Sequence, residues 1–201
     1  MPRIVGNERY LQSEMIRSLS LSNARLMDLS LLGSMKSLNS LTIRLSDAKS
    51  LEGIPNLQCL DLTQVSSLSS LHGLEHCSNL VSLTLDELRE LQSIDAIGKT
   101  IAIRELMIQR CFKIQNISSL ENCINLQHLQ LNICGKIETL KPIRNLTGLK
   151  TFNFIETTNI VDGDISFLKE FRELKTLKFM NRKHYNMTTT EWYTNRFPQR
   201  K

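Results

Sequence analysis

Two apolar residues separated by one other recur down this chain at a nearly fixed interval. No other feature constrains the fold as tightly. Taking the first residue of each pair as an anchor gives Leu19, Leu41, Leu60, Leu83, Leu106, Leu129, Phe152 and Leu177, at intervals of 22, 19, 23, 23, 23, 23 and 25 residues. Two residues after the anchors stand Leu21, Ile43, Leu62, Leu85, Ile108, Leu131, Phe154 and Phe179. Three residues before them stand Ile16, Leu38, Leu57, Leu80, Ile103, Leu126, Leu149 and Leu174. All 24 positions are apolar in a chain that is 41% hydrophobic, so the pattern is a repeat. The stretch from Leu106 to Leu131, LMIQRCFKIQNISSLENCINLQHLQL, shows what one unit is. Apolar spacing of two belongs to a strand, whose side chains alternate between faces. The spacing of about three that follows, through Cys111, Ile114, Ile117 and Leu120, suits a tight coil better than an α-helix. A strand that runs into such a coil, again and again, is one rung of a solenoid, and it buries its apolar side only against the next rung.

On these residues the units resemble leucine-rich repeats of the short bacterial internalin type, also found in eukaryotic phosphatase-regulatory repeat proteins. The resemblance covers residues 16–180. It implies an α/β fold: a right-handed, curved solenoid of eight repeats with a parallel β-sheet on the concave face and 3₁₀ or short helical turns on the convex face. Residues 1–15 then form an N-terminal cap, in which Ile4, Val5, Tyr10 and Leu11 cover the open end of the first rung. Residues 181–201 form a C-terminal cap or tail. Tyr185, Trp192, Tyr193 and Phe197 are its cover, and a short helix starts near Thr190-Glu191 and stops before Pro198. A phosphate-seeking tail is the rival reading of that segment. One departure matters. Five positions after the anchors, where the family usually has asparagine, stand Ala24, Ser46, Val65, Leu88, Cys111, Cys134 and Thr157. The turns must therefore satisfy their backbone carbonyls in some other way, water being one route.

Formal charge is +5 at pH 7. Arg182, Lys183, Arg196, Arg200 and Lys201 against Glu191 make the last 21 residues +4 and leave +1 for the rest. No apolar run reaches the ~20 residues that span a bilayer. The opening MPRIVGNERY lacks the apolar core of a signal peptide, so a cytoplasmic chain is expected. Five cysteines in 201 residues are too few for a disulfide framework. Cys111 and Cys134 share one repeat position, and Cys77 and Cys123 share another. Both positions point into the core, where cysteine packs as a small apolar residue. No CxxC pair or histidine at ligand spacing accompanies them, so no metal is expected. Cys59 alone is expected on the exposed sheet face. No glycine-rich phosphate loop, paired-carboxylate motif or Ser-His-Asp arrangement is visible, so no enzyme activity and no cofactor are expected.

Strand side chains at −1, +1 and +3 from each anchor face away from the core, and the inner curve of the solenoid gathers them into one wall. The candidate partner-binding residues on that concave face are Arg44, Asp61, Asp86, Glu105, Met107, Gln109, His128, Gln130, Asn132, Asn153 and Ile155. Glu87, Arg110 and Glu156 follow at the next position. Asp61, Asp86, Glu87 and Glu105 lie on adjacent rungs, and strands stand about 4.8 Å apart. Unpaired like charges so placed weaken a fold. The functional reading is a partner protein with a basic surface, and the plain reading is an ordinary solvated face. The expected role is binding of another protein without chemistry, by a monomer, with no membrane and no nucleic acid. The resemblance to repeat proteins of bacterial toxin systems, carried by GDISFLKEFRELKTLKFMNRKHYN, implies an immunity or inhibitor role. A regulatory subunit or scaffold of a phosphatase or other enzyme is the alternative.

Overall fold

The computed structural model describes residues 15–23, 29–54 and 57–197. Each leucine pair lies in a strand, and eight of these strands form one parallel sheet in chain order. They are β1 Ser18–Ser22, β2 Ser40–Ser46, β3 Cys59–Val65, β4 Ser82–Asp86, β5 Glu105–Gln109, β6 His128–Asn132, β8 Thr151–Phe154 and β10 Thr176–Phe179. Two short strands, β7 Lys136–Ile137 and β9 Asn159–Ile160, pair beside it. The register follows the repeat. Leu19, Leu41, Leu60, Leu83, Leu106, Leu129, Phe152 and Leu177 stand opposite one another in a single file. The result is a right-handed leucine-rich-repeat solenoid with its parallel sheet on the concave face.

The outer face is built as the threefold spacing predicts. 3₁₀ turns occupy Ser30–Ser34, Leu74–His76, Asp95–Lys99, Ser118–Asn122, Lys141–Ile143 and Ser166–Glu170. A further β-turn then leads into several strands: Leu80 N–H donates to Cys77 O, Ile103 to Thr100 O, and Leu126 to Cys123 O, at 2.9–3.1 Å. The short interval from Leu41 to Leu60 leaves the second rung with a plain loop instead. Gly73 of the third rung, at φ +99°, lies against that loop, and a Cβ there would stand 2.4 Å from Glu52 N.

Seven of the eight sheet strands carry, four positions after the anchor, one residue in left-handed conformation. These are Asn23, Leu45, Gln64, Glu87, Arg110, Ile133 and Glu156, with φ between 54° and 60°. None is glycine, and only Asn23 is a residue that tolerates this region well. The conformation is held from the neighbouring rung. Glu87 N–H donates to Gln109 O at 2.9 Å, and Arg110 N–H to Asn132 O at 3.1 Å.

Of the 24 patterned apolar positions, all but Ile16 and Leu19 are fully buried. Those two belong to the first rung. The cover expected from Ile4, Val5, Tyr10 and Leu11 lies outside the described residues. At the other end, α1 (Thr189–Arg196) starts with a capping box between Thr188 and Glu191. It rests on the Ser166–Glu170 turn with Trp192 buried. Tyr185 is buried among Phe154 and Phe179, and its hydroxyl accepts from Ile160 N–H at 2.9 Å. The basic residues beside it are engaged too. Arg182 donates to Glu156 O and Thr158 O at 3.0 Å each, and Arg196 to Arg172 O. Residues 181–197 therefore spend much of their polarity on the rungs beneath them, while Pro198, Arg200 and Lys201 lie outside the described residues. No helix among the described residues is long and apolar enough to cross a membrane.

The left-handed residues carry a testable cost, roughly 1–2 kcal/mol for a residue with a Cβ. Leu45 is 47% exposed, so its side chain contributes little burial. Leu45→Asn is expected to raise stability by about 0.5–1 kcal/mol, seen as a higher urea midpoint at unchanged m-value. A lower midpoint would show that Leu45 sits there without strain.

Candidate functional site

The wall is made of three files of side chains running across the strands. The strand register places Ser82, Glu105, His128 and Thr151 side by side in the first file. Thr84, Met107, Gln130 and Asn153 form the second, and Thr63, Asp86, Gln109 and Asn132 the third. Over rungs four to seven the first two files enclose a shallow depression of about 270 Å³, lined by Met107 together with Ser82, Thr84, Glu105, His128, Gln130 and Thr151. Met107, His128 and Gln130 are half-buried and Glu105 is exposed. A thioether among hydroxyls, an amide, an imidazole and a carboxylate can take both apolar contact and hydrogen bonds. Cys59 and His128 share a file but lie three strands apart, on the order of 14 Å. Among the described residues no group of three or more His, Cys, Asp or Glu could hold a metal ion.

The acidic residues are arranged otherwise than their adjacency in the repeat suggests. Glu105 pairs in register with Ser82, while Asp86 pairs with Gln109, so the two carboxylates lie four residues apart along the strands, about 13 Å. Glu105 accepts from Ser82 Oγ at 3.3 Å. Asp86 is ion-paired to Arg110, and Glu87 is paired to Arg89 and accepts from Gln64 Nε2 at 2.7 Å. The carboxylates are thus separated and partly neutralised. What remains is a mixed corner at the C-terminal edge of the sheet, where Arg44, Asp61, Asp86, Glu87, Gln109 and Arg110 meet. Beside it a second hollow of about 430 Å³ is lined by Leu45, Gln64, Glu87 and Arg89. Gln64 and Arg89 were not among the expected site residues. Gln64 occupies the same left-handed position as Glu87 and Arg110, and that repeat position was the available signal.

Electrostatics single out Asp86. Burial raises its pKa, and Glu87 and Asp61 push the same way, against Arg110 and Arg44. Glu87 is lowered instead, by its bonds to Arg89 and Gln64. Asp86 Oδ1 is buried with no hydrogen-bond partner among the described groups. The fold therefore keeps a carboxylate where its ionised form is disfavoured.

Toward the C-terminus the expected residues divide. β6 and β8 pair only from His128 to Gln130, because the seventh rung diverges there. Asn132 fills the gap: it is buried, donates to Gln130 Oε1 at 3.2 Å and accepts from Ile155 N–H at 3.4 Å. It is a structural bridge rather than an exposed contact residue. Asn153 and Ile155 are half-buried and Glu156 is exposed. One core position also shifts locally, although the register on either side keeps the 23-residue offset. Thr157 is exposed, and Thr158 turns inward to donate to Leu131 O at 2.5 Å and accept from Cys134 N–H at 3.0 Å. The four buried cysteines do more than fill space. The Cys77, Cys111, Cys123 and Cys134 thiols reach carbonyls of the preceding rung, at Ile54 (2.7 Å), Leu85 (3.7 Å), Ile97 (3.7 Å) and Ile108 (3.3 Å).

No protein-family model matches the sequence, and no curated protein matches it. Solved structures do. Internalin C2 from Listeria monocytogenes is 20% identical, with a TM-score of 0.69, over 89% of this chain and 79% of its own. An internalin, InlF, from the same organism is 18% identical, with a TM-score of 0.63, over 95% of this chain and 60% of its own. A Leptospira interrogans LRR protein is 18% identical, with a TM-score of 0.60, over 91% and 59%. The chain thus spans about three fifths of the length of two of these neighbours. The likeness is one of fold, the leucine-rich-repeat architecture of internalins.

The raised pKa of Asp86 sets a pH test. A carboxyl whose folded pKa lies above its unfolded value contributes most below the unfolded value, and that contribution is lost as pH rises through the folded one. At pH 7 Asp86→Asn is therefore expected to melt above the parent chain. The difference should close as pH falls below about 3, where Asp86 is protonated in both states. A variant that melts lower at pH 7 would mean that the pair with Arg110 outweighs burial.

Proposed function

We propose that the concave wall binds another protein and performs no chemistry of its own. The carrying observation is the Met107 depression, an open hollow built on paired strands whose lining combines a thioether with hydroxyl, amide and carboxylate groups. Such a wall suits a folded or extended polypeptide, which offers both apolar side chains and amides. Asp86 supports a preference for a basic partner surface. Its ionised form is disfavoured in the free chain, so a partner cation set beside it would relieve that penalty. Glu87 and Asp61 extend the same corner, while Arg44, Gln109 and Arg110 offer hydrogen bonds around it. The finer reading is an inhibitor of the bacterial toxin-immunity kind, which silences a partner by covering its working surface. A regulatory or scaffolding subunit would hold its partner active instead.

Affinity capture from native lysate, followed by mass spectrometry and an activity assay of the captured protein, tests this reading. Met107→Arg combined with Gln130→Arg is expected to lose the partner at least tenfold, while the convex variant Glu121→Lys keeps it. Asp86→Lys with Glu87→Lys should slow association and flatten its salt dependence. Equal capture by the concave and convex variants would overturn the assignment. A captured enzyme that stays active in the complex would overturn the inhibitory role alone.

A further inference from the structure

A second surface lies on the other side of the strands, at their N-terminal edge. Among the described residues, the turn before the strand presents an exposed residue five before the anchor on rung two and on rungs four to eight. On rungs five and six these are Ile101 and Ile124, 62% and 66% exposed. Asn125 Nδ2 ties the two turns together through Ile101 O at 2.9 Å, so the isoleucines stand on neighbouring corners. On rung eight the same position is Arg172, whose carbonyl accepts from Arg196 and so draws a second guanidinium to that corner.

Two residues before the anchors comes a parallel file. There each carbonyl takes two N–H groups from the next rung: Arg104 O accepts from Gln127 N–H and His128 N–H at 2.8 and 2.9 Å. With the backbone so fixed, the side chains of this file hold a defined spacing, about 4.8 Å per strand. On rungs five, seven and eight they are Arg104, Lys150 and Lys175, and between them Gln127 Oε1 accepts from Lys150 Nζ at 2.9 Å. None of Arg104, Lys150, Arg172 or Lys175 forms an ion pair among the described residues. The carboxylates on this rim are Glu105 and Glu173, fewer than the cations. Paired exposed isoleucines beside unpaired cations, laid out in one direction, differ from a scattered solvated face.

We infer that this rim docks an extended acidic segment of a partner protein, with apolar residues against Ile101 and Ile124 and carboxylates along Arg104, Lys150, Lys175 and Arg172. The two isoleucines favour a polypeptide over a nucleic acid, whose phosphates would use the cations and leave the apolar end bare. Three strand steps, on the order of 14 Å, match five or so residues of extended chain, so the segment is short. The surface is independent of the Met107 depression and does not rest on it.

The test uses the full chain and a fluorescent octapeptide of two leucines followed by glutamates. It is compared with the same peptide with serines for leucines, one with lysines for glutamates, and a single-stranded RNA octamer. Anisotropy at low and physiological salt should show binding of the leucine–glutamate peptide, stronger than of the other three. Lys150→Glu with Lys175→Glu should weaken it at least tenfold. Ile101→Ser with Ile124→Ser should weaken it several-fold and remove its advantage over the serine peptide. Met107→Arg should leave it unchanged, which separates this surface from the concave wall. The milder Lys150→Gln with Lys175→Gln should give an intermediate loss, should the reversed pair fail to fold. The proposal is overturned if no peptide binds at low salt, if charge reversal in the folded variant has no effect, or if RNA binds as tightly as the peptide and the isoleucine variant matches the parent.

Discussion

A parallel strand cannot satisfy its own backbone, and a rung this thin cannot bury its own apolar side. Both deficits are met by one device, an in-register neighbour one repeat away. The doubled acceptors at Gln58 O, Arg104 O and Lys150 O, and the unbroken file from Leu19 to Leu177, are two views of that device. Only a fixed register lets both hold at every rung. The ends are where it fails. Leu19 stays partly exposed on rung one, and past the last strand the Tyr185 hydroxyl, Arg182 and Asn186 serve the rung-seven backbone at Ile160, Thr158 and Ile165 with side chains.

The same register explains how the chain manages without an asparagine ladder. A rung needs a donor aimed at the carbonyls exposed where the strand turns away. Here thiols and one hydroxyl take that place: Cys111 and Cys134 on two adjacent rungs, then Thr158 on the next. A thiol is a weaker donor than an amide, and the turn also holds a left-handed residue with a side chain. The local geometry is therefore imposed by neighbouring rungs more than by the turn's own chemistry. A uniform φ of 54–60° at residues as different as Leu45, Glu87 and Ile133 supports this.

What could be read from residues alone was whatever repeats. Spacings of two and three announced strands and 3₁₀ coils, and parity along each strand placed Met107, His128 and Gln130 on the wall. Less was legible wherever rungs differ. The left-handed turn is invisible because neither glycine nor, beyond Asn23, asparagine marks it. Glu105 seemed a neighbour of Asp86 because rung order was known while position along the strand was left out. The Asp86–Arg110 pair joins residues 24 apart, through a turn whose direction no local motif states. A local change of phase in the seventh rung, between register positions that keep the 23-residue offset on both sides, exchanges Thr157 for Thr158, and pairing that ends at Gln130 leaves Asn132 to bridge to Ile155. The outer corners of Ile101 and Arg172 carry no apolar periodicity of their own, because side chains there face solvent on every described rung.

The binding surfaces inferred here stand or fall with which side of each strand faces the core, and the five native cysteines report on that directly. Cys59 is exposed, whereas Cys77, Cys111, Cys123 and Cys134 are at most 1% exposed. Burial pushes the Cys77, Cys111 and Cys123 thiols up to about 11 and Cys134 to about 12, far from the reactive thiolate. Titrating the folded protein with a chromogenic disulfide reagent should release one equivalent quickly, assigned to Cys59 by its loss in Cys59→Ser, and the other four only on addition of denaturant. Rapid reaction of two or more thiols in the native protein, or protection of Cys59, would contradict the register on which the wall and the rim depend.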